Sequence, residues 1–120
     1  MPDTLPGPAQ SGPLLEITSF EEGDQRVVAL IGELDLSNVD AVGAAIREAL
    51  QASAAVIVDL AELTFIDSSG IGLLLGVAVS ENGQNPACSL ASPSMAVRRV
   101  LEIAGVADRL PWKETALDEH

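Results

Sequence analysis

Val56, Ile57 and Val58 stand in unbroken succession near the middle of the chain. Within Ala54–Leu60 they have the look of a central strand buried on both faces, so the rest of the chain must supply neighbours and cover for it. The flanking segments have a different period. From Ser37 to Gln51, Val39, Val42, Ile46, Ala49 and Leu50 recur at helical spacing. Ser37 reads as the N-cap, with Asp40 three residues on resembling the acid of a capping box. Ser69–Ser80 reads as a second helix and Ala87–Ala91 as a strand. Ser92 then caps a third helix with Pro93 at its first position; Val97, Val100, Leu101 and Ala104 share one side, and Gly105 stops it. Upstream, the apolar runs Leu14–Phe20 and Arg26–Gly32 are separated by Glu21-Glu22-Gly23-Asp24, which predicts a β-hairpin. A last short strand near Leu110 closes the sheet. A hairpin followed by alternating strands and helices predicts an α/β fold: a mixed sheet of roughly four to five strands, with right-handed crossovers, packed with roughly three to four helices.

The 120 residues form one domain. We place a flexible leader at residues 1–13, which hold four prolines and two glycines, the domain at 14–112 and a C-terminal tail at 113–120. With 48% hydrophobic residues the chain folds, and its net charge of -12 repels phosphate backbones and anionic lipid, so neither nucleic acid nor membrane is an expected partner. Phe20, Phe65 and Trp112 are too few aromatics for a base-stacking platform. The sole cysteine, Cys88, reads as a small buried hydrophobe, and the sole histidine, His120, leaves no Ser-His-Asp triad, phosphohistidine relay or zinc site. No metal, cofactor or catalytic residue is therefore expected. The longest apolar run, Ile71–Val79, falls short of the ~18 residues that cross a bilayer, and the N-terminus lacks signal-peptide character, so a cytoplasmic location is expected.

The informative segment is Leu63-Thr64-Phe65-Ile66-Asp67-Ser68-Ser69-Gly70-Ile71-Gly72. An apolar stretch enters a helix through three capping-type residues and a glycine. Amides of a first helical turn lack partners and carry the positive end of the dipole, a setting that stabilises a phosphate. The plainer reading is that Asp or Ser caps the helix and Gly lets the chain turn tightly. At about 100° per residue Ile71, Leu74, Leu75 and Ala78 share the core face. Across the wheel lie Ser69, Gly72, Leu73, Gly76, Val77 and Ser80, with no charge and two glycines. Each glycine costs about 1 kcal/mol against alanine inside a helix, so this face is read as a docking surface. Ser69 falls on it, while Ser68 points nearer the core and suits capping. Phosphorylation there would bring about -1.5 to -2 charges into an apolar contact patch, an off switch for a partner.

These residues resemble the STAS family, specifically the bacterial anti-sigma factor antagonists. The resemblance rests on Asp67-Ser68-Ser69-Gly70-Ile71-Gly72, on Gly32-Glu33-Leu34-Asp35 after the second strand and on Asp59-Leu60, and covers Leu14 to Leu110. It implies a STAS-like fold and a partner-switching protein. The unmodified form would bind an anti-sigma factor that is also a serine kinase, freeing the sigma factor. The kinase would use ATP to phosphorylate the second serine of the motif, Ser69 (Ser68 as runner-up), ending the binding, and a PP2C-type phosphatase would restore it. Asp35, Asp67, Ser68, Gly70, Gly72, Leu73, Gly76 and Val77 are the expected partner-binding residues, on a monomer or weak dimer. The alternative is a stand-alone STAS regulatory module with weak nucleotide binding and no phospho-switch.

Enzymatic readings fit less well. In Gly70-Ile71-Gly72-Leu73-Leu74-Leu75-Gly76 the third glycine comes one place late for a dinucleotide loop, no Gly-Lys-Ser/Thr occurs, and Asp67 breaks a nucleophile elbow. A receiver accepting phosphate on Asp59 would want a neighbouring acidic pair and a late-strand lysine, and Lys113 is the only lysine. Arg98 and Arg99 read as a solvated face, with Met95 beside them as an extension of a contact surface.

Overall fold

The hairpin forms around Gly23, whose φ of +66° lies in the left-handed region open to glycine. It joins β1 (Leu15–Glu22) to β2 (Gln25–Leu34); there follow α1 (Val39–Ala52), β3 (Ala55–Ile66), α2 (Ser68–Ala78), β4 (Cys88–Ala91) and α3 (Met95–Ile103). The computed structural model describes residues 14–78 and 88–113. Its strands make one four-stranded sheet in the order β1-β2-β3-β4. β1 runs antiparallel to β2, whereas β2–β3 and β3–β4 are parallel pairs. This is the mixed α/β architecture that the alternation of periods predicts. The leader at 1–13, the helix end at Ser80, the strand start at Ala87 and the tail from 114 lie outside the described residues.

Side chains alternate across a strand. Val28 and Leu30 of β2, Val56, Val58 and Leu60 of β3, and Cys88 and Leu90 of β4 join one buried cluster with Val42, Ile46 and Ala49 of α1, Leu74 of α2, and Val97 and Leu101 of α3. The intervening Val27, Ile57 and Ala91 are buried outside that cluster. The Val56–Val58 run is thus enclosed on both sides, as its composition requires.

Three boundaries differ from expectation, each because a side chain finds a better partner. Ser37 does not cap α1: its Oγ and backbone N–H both donate to Asp35 Oδ1, at 2.6 and 3.0 Å. Asn38 takes the N-cap position without a side-chain cap bond. Its buried carboxamide closes the preceding turn, accepting from the Asp35 N–H and donating to the Glu33 carbonyl. No Ser37–Asp40 capping box forms, although Asp40 stays in the first turn, where its charge suits the dipole.

β3 does not end at Leu60 but continues to Ile66 through register shifts opposite Ala29–Ile31 and Gly32–Glu33. Asp59 Oδ1 accepts from the Ala61 N–H at the first shift, and Thr64 Oγ1 donates to the Gly32 carbonyl at the second. Each shift places an extra residue on β3 and returns Leu63 and Ile66 to the core. For α3 the cap is Ser94, not Ser92: the Ser94 hydroxyl accepts from the Val97 N–H and donates to the Leu63 carbonyl. Ser92 instead adopts a φ of +52°, and Gly105, at φ +78°, follows the helix end. The strand expected near Leu110 is a single bridge between Leu90 and Trp112, after a 3-10 turn over Ala107–Arg109.

No described helix is long and apolar enough to cross a membrane. Cys88 is buried at the start of β4, and burial pushes its thiol up to about 12. At pH 8 the folded chain should therefore leave a disulfide reagent such as DTNB unreacted, with the thiol released only on adding denaturant; rapid reaction of the native chain would contradict this placement.

Candidate functional site

Asp67, the first residue past β3, organises the site. Its backbone N–H donates to the Leu34 carbonyl at 3.2 Å, joining it to the end of β2. Its Oδ1 accepts from the amides of Ser69 and Gly70, at 2.9 and 3.0 Å, and its Oδ2 accepts from the Leu36 amide at 3.2 Å. Its carbonyl accepts from the Ile71 N–H at 3.0 Å. Asp67 is therefore the N-cap of α2, and a carboxylate at that end is favoured by both the free amides and the dipole. The expectation that Ser68 caps the helix is corrected: Ser68 is its exposed first residue, while Ser69 is half-buried. The expectation that first-turn amides await a phosphate is corrected as well, because the Asp67 carboxylate already occupies those of Ser69 and Gly70.

Gly70 has a packing reason. A Cβ there would stand 2.7 Å from Ile66 Cγ1 and 2.8 Å from Leu34 Cγ, so α2 can start this close to β2 and β3 only with glycine. Gly72 and Gly76 are the opposite case: they are exposed, and a Cβ at either would meet nothing within 4 Å among the described residues.

Further along α2, Leu74 is fully buried and Ile71 and Leu75 are half-buried, as the wheel predicts. Leu73 and Val77 also pack partly against the core cluster. Leu73 Cδ1 lies 3.4 Å from the place a Cβ on Gly43 of α1 would take, so α1 flanks that side of α2. The open strip is narrower than expected: Ser68, Gly72 and Gly76 form it, with Ser69, Leu73 and Val77 along its border.

Asp35 is half-buried in the β2–α1 turn, which Asp67 ties to α2 through the Leu36 amide. The structure thus brings Asp35, Asp67, Ser68, Ser69 and Gly70 to one end of the sheet. Leu36, beside Asp35, is 74% exposed, and Phe65, two residues before Asp67, is 46% exposed. Neither was singled out for the site by sequence, since a leucine within a turn has no period to reveal its direction. Glu33, Asp35 and Asp67 lie at this end of the sheet, while Arg47 of α1 places Nη1 3.5 Å from the position a Cβ on Gly43 would take, on the same side as Leu73. Asp59, the receiver-like candidate, lies within β3 with its carboxylate on the Ala61 amide, away from this end. Arg98, Arg99 and Met95 are exposed on α3. The described residues contain no group of three or more side chains suited to hold a metal ion.

A mixed sheet whose third strand delivers Asp-Ser-Ser-Gly to a helix start defines a known class. The chain matches the STAS domain over residues 17–119, and it belongs to that family. It is 35% identical over 96 residues to an anti-sigma F factor antagonist of Lysinibacillus sphaericus, covering 78% of this chain and 80% of that one. Among solved structures it resembles the anti-sigma factor antagonist SpoIIAA in its unphosphorylated form, with 30% identity, a TM-score of 0.62 and coverage of 87% of this chain and 93% of that one. The phosphorylated form of the Bacillus protein SpoIIAA also matches, at 30% identity and a TM-score of 0.52, over 87% of this chain and 96% of that one.

The three roles separate in stability measurements. Gly70→Ala overpacks the helix start and should cost about 1–3 kcal/mol. Asp67→Ala removes the cap and should cost about 0.5–2 kcal/mol. Gly72→Ala, facing open space, should gain up to about 1 kcal/mol. Urea unfolding checks all three; a stabilising Gly70→Ala would contradict the packing described.

Proposed function

We propose that the chain is an anti-sigma factor antagonist that works by partner switching. Unmodified, it binds an anti-sigma factor that is also a serine kinase, and the sigma factor is released. Phosphorylation of Ser69 ends that binding, and a PP2C-type phosphatase reverses the modification. The observation that carries this reading is the half-buried Ser69 at the edge of an uncharged strip that the described chain leaves open at Gly72 and Gly76. The relatives named as anti-sigma factor antagonists support the partner class, and a phosphorylated form of SpoIIAA supports modification as the control.

The switch follows from charge. A hydroxyl on the border of the strip is small and neutral enough to be covered by a partner. A phosphoryl group brings about -1.5 to -2 charges to the same place. Its natural counter-charge, the amides of Ser69 and Gly70, is already held by Asp67. The new anion therefore meets a resident carboxylate, and desolvating it unpaired against a partner costs several kcal/mol. Since about 1.4 kcal/mol is tenfold in affinity, that suffices to release the complex.

Each anti-sigma factor encoded in the same genome, purified and titrated by calorimetry, tests the proposal. Wild type and Ser69→Ala should bind one of them alike, and Ser69→Asp should bind at least about tenfold more weakly. Incubation with that factor and ATP should place phosphate on Ser69 and none on the Ser69→Ala variant. Equal binding by all three forms, or phosphate carried on Ser68, would contradict the switch; binding without any phosphate transfer would favour a regulatory module lacking it.

A further inference from the structure

Leu36 stands exposed in a turn whose amides are all hydrogen-bonded. Its amide donates to Asp67 Oδ2, while Asp35 on one side and Ser37 on the other are closed by the Asp35 carboxylate and the Asn38 carboxamide. The backbone is fixed, yet the leucine side chain is 74% exposed. An isolated exposed leucine means little, but this one is tied through Asp67 to the start of α2, next to the open strip. From these contacts we infer that Leu36 is the apolar anchor of the interface, inserted into a socket on the anti-sigma factor that is bordered by lysine or arginine. This rests on the reading of the α2 strip as the partner-binding face and adds the residue that decides affinity and partner choice.

The character of the occupant follows from charge. Leu36 lies between Asp35 and Asp67 in a stretch without any cation from Val27 to Ile46. A second copy of the chain would set the same carboxylates against each other in a two-fold contact, which disfavours self-association there. A net charge of -12 likewise disfavours a lipid surface or nucleic acid. A protein surface with an apolar centre and a cation facing Asp35 satisfies the leucine and that acid; Asp67, already held by the Leu36, Ser69 and Gly70 amides, calls for no cation beside Ser69, where a phosphate stays unpaired. A pre-ordered turn also presents the side chain without the entropy cost of ordering a loop on binding.

The anti-sigma factor that binds the unmodified chain is the probe. Leu36→Ser should weaken its binding about 10- to 100-fold, the loss expected on removing one fully buried leucine from an interface. Leu36→Met should restore binding to within a few-fold, since the socket reads apolar volume. The melting temperature of both variants should equal that of the wild type, and wild-type affinity should fall as salt screens the cation facing Asp35. Unchanged affinity of Leu36→Ser, a loss accompanied by a lowered melting temperature, or an affinity indifferent to salt would overturn the inference. If Leu36→Ser loses affinity while Ser69→Asp binds like the wild type, the anchor stands and the phospho-switch falls. Failure of the wild type itself to bind any anti-sigma factor overturns the reading of the face on which the anchor rests.

Discussion

The Asp67 carboxylate is the interaction on which the site depends. One oxygen takes the first amides of α2 and the other takes the Leu36 amide of the β2–α1 turn. Hydrogen bonds to an ionised acceptor are stronger than neutral ones, so two segments far apart in sequence are fixed to one group. The backbone bond from Asp67 to Leu34 aligns the ends of the two parallel strands that carry them. Turn, helix start and serine pair consequently form one rigid unit.

The same interaction explains the division of labour within Asp-Ser-Ser-Gly. Aspartate satisfies the helix start, and Gly70 allows it to press against Leu34 and Ile66. The serines are thereby relieved of both tasks. Ser68 is left in solvent and Ser69 at the border of the strip, and neither hydroxyl holds the helix start. Gly72 and Gly76 lower the intrinsic helix stability of α2 although a Cβ at either would stand in open space among the described residues. That sacrifice is intelligible if flatness on that side serves another molecule, and the buried Leu74 retains the helix on the sheet.

Periodicity made the order of elements legible, because burial of Val56–Val58 and of Val42, Ile46 and Ala49 leaves a direct trace in residue spacing. Boundaries were less so, because they are decided by side chains reaching across space. The Ser92-Pro93 pair pointed to Ser92 as the cap of α3, whereas the Leu63 carbonyl within reach of the Ser94 hydroxyl places the cap at Ser94. The continuation of β3 past Leu60 depends on two register shifts that interrupt the alternation on which strand recognition relies. At the site, the motif identified the helix start and the family, but the wheel misjudged its first turn: Asp67 rather than Ser68 caps it, and α1 covers part of the strip beside Leu73. Leu36 stayed hidden because only the bond to Asp67, thirty-one residues away, reveals its setting.

On the proposed function, the β2–α1 turn and the start of α2 act as one contact surface. Hydrogen–deuterium exchange can be compared for the free chain, the chain with its anti-sigma factor, and the Ser69-phosphorylated chain with the same factor. Residues 35–38 and 68–77 should gain protection together in the complex and lose it together on phosphorylation. Protection at only one of these segments, or confined to the far end of the sheet around the β1–β2 turn, would contradict it.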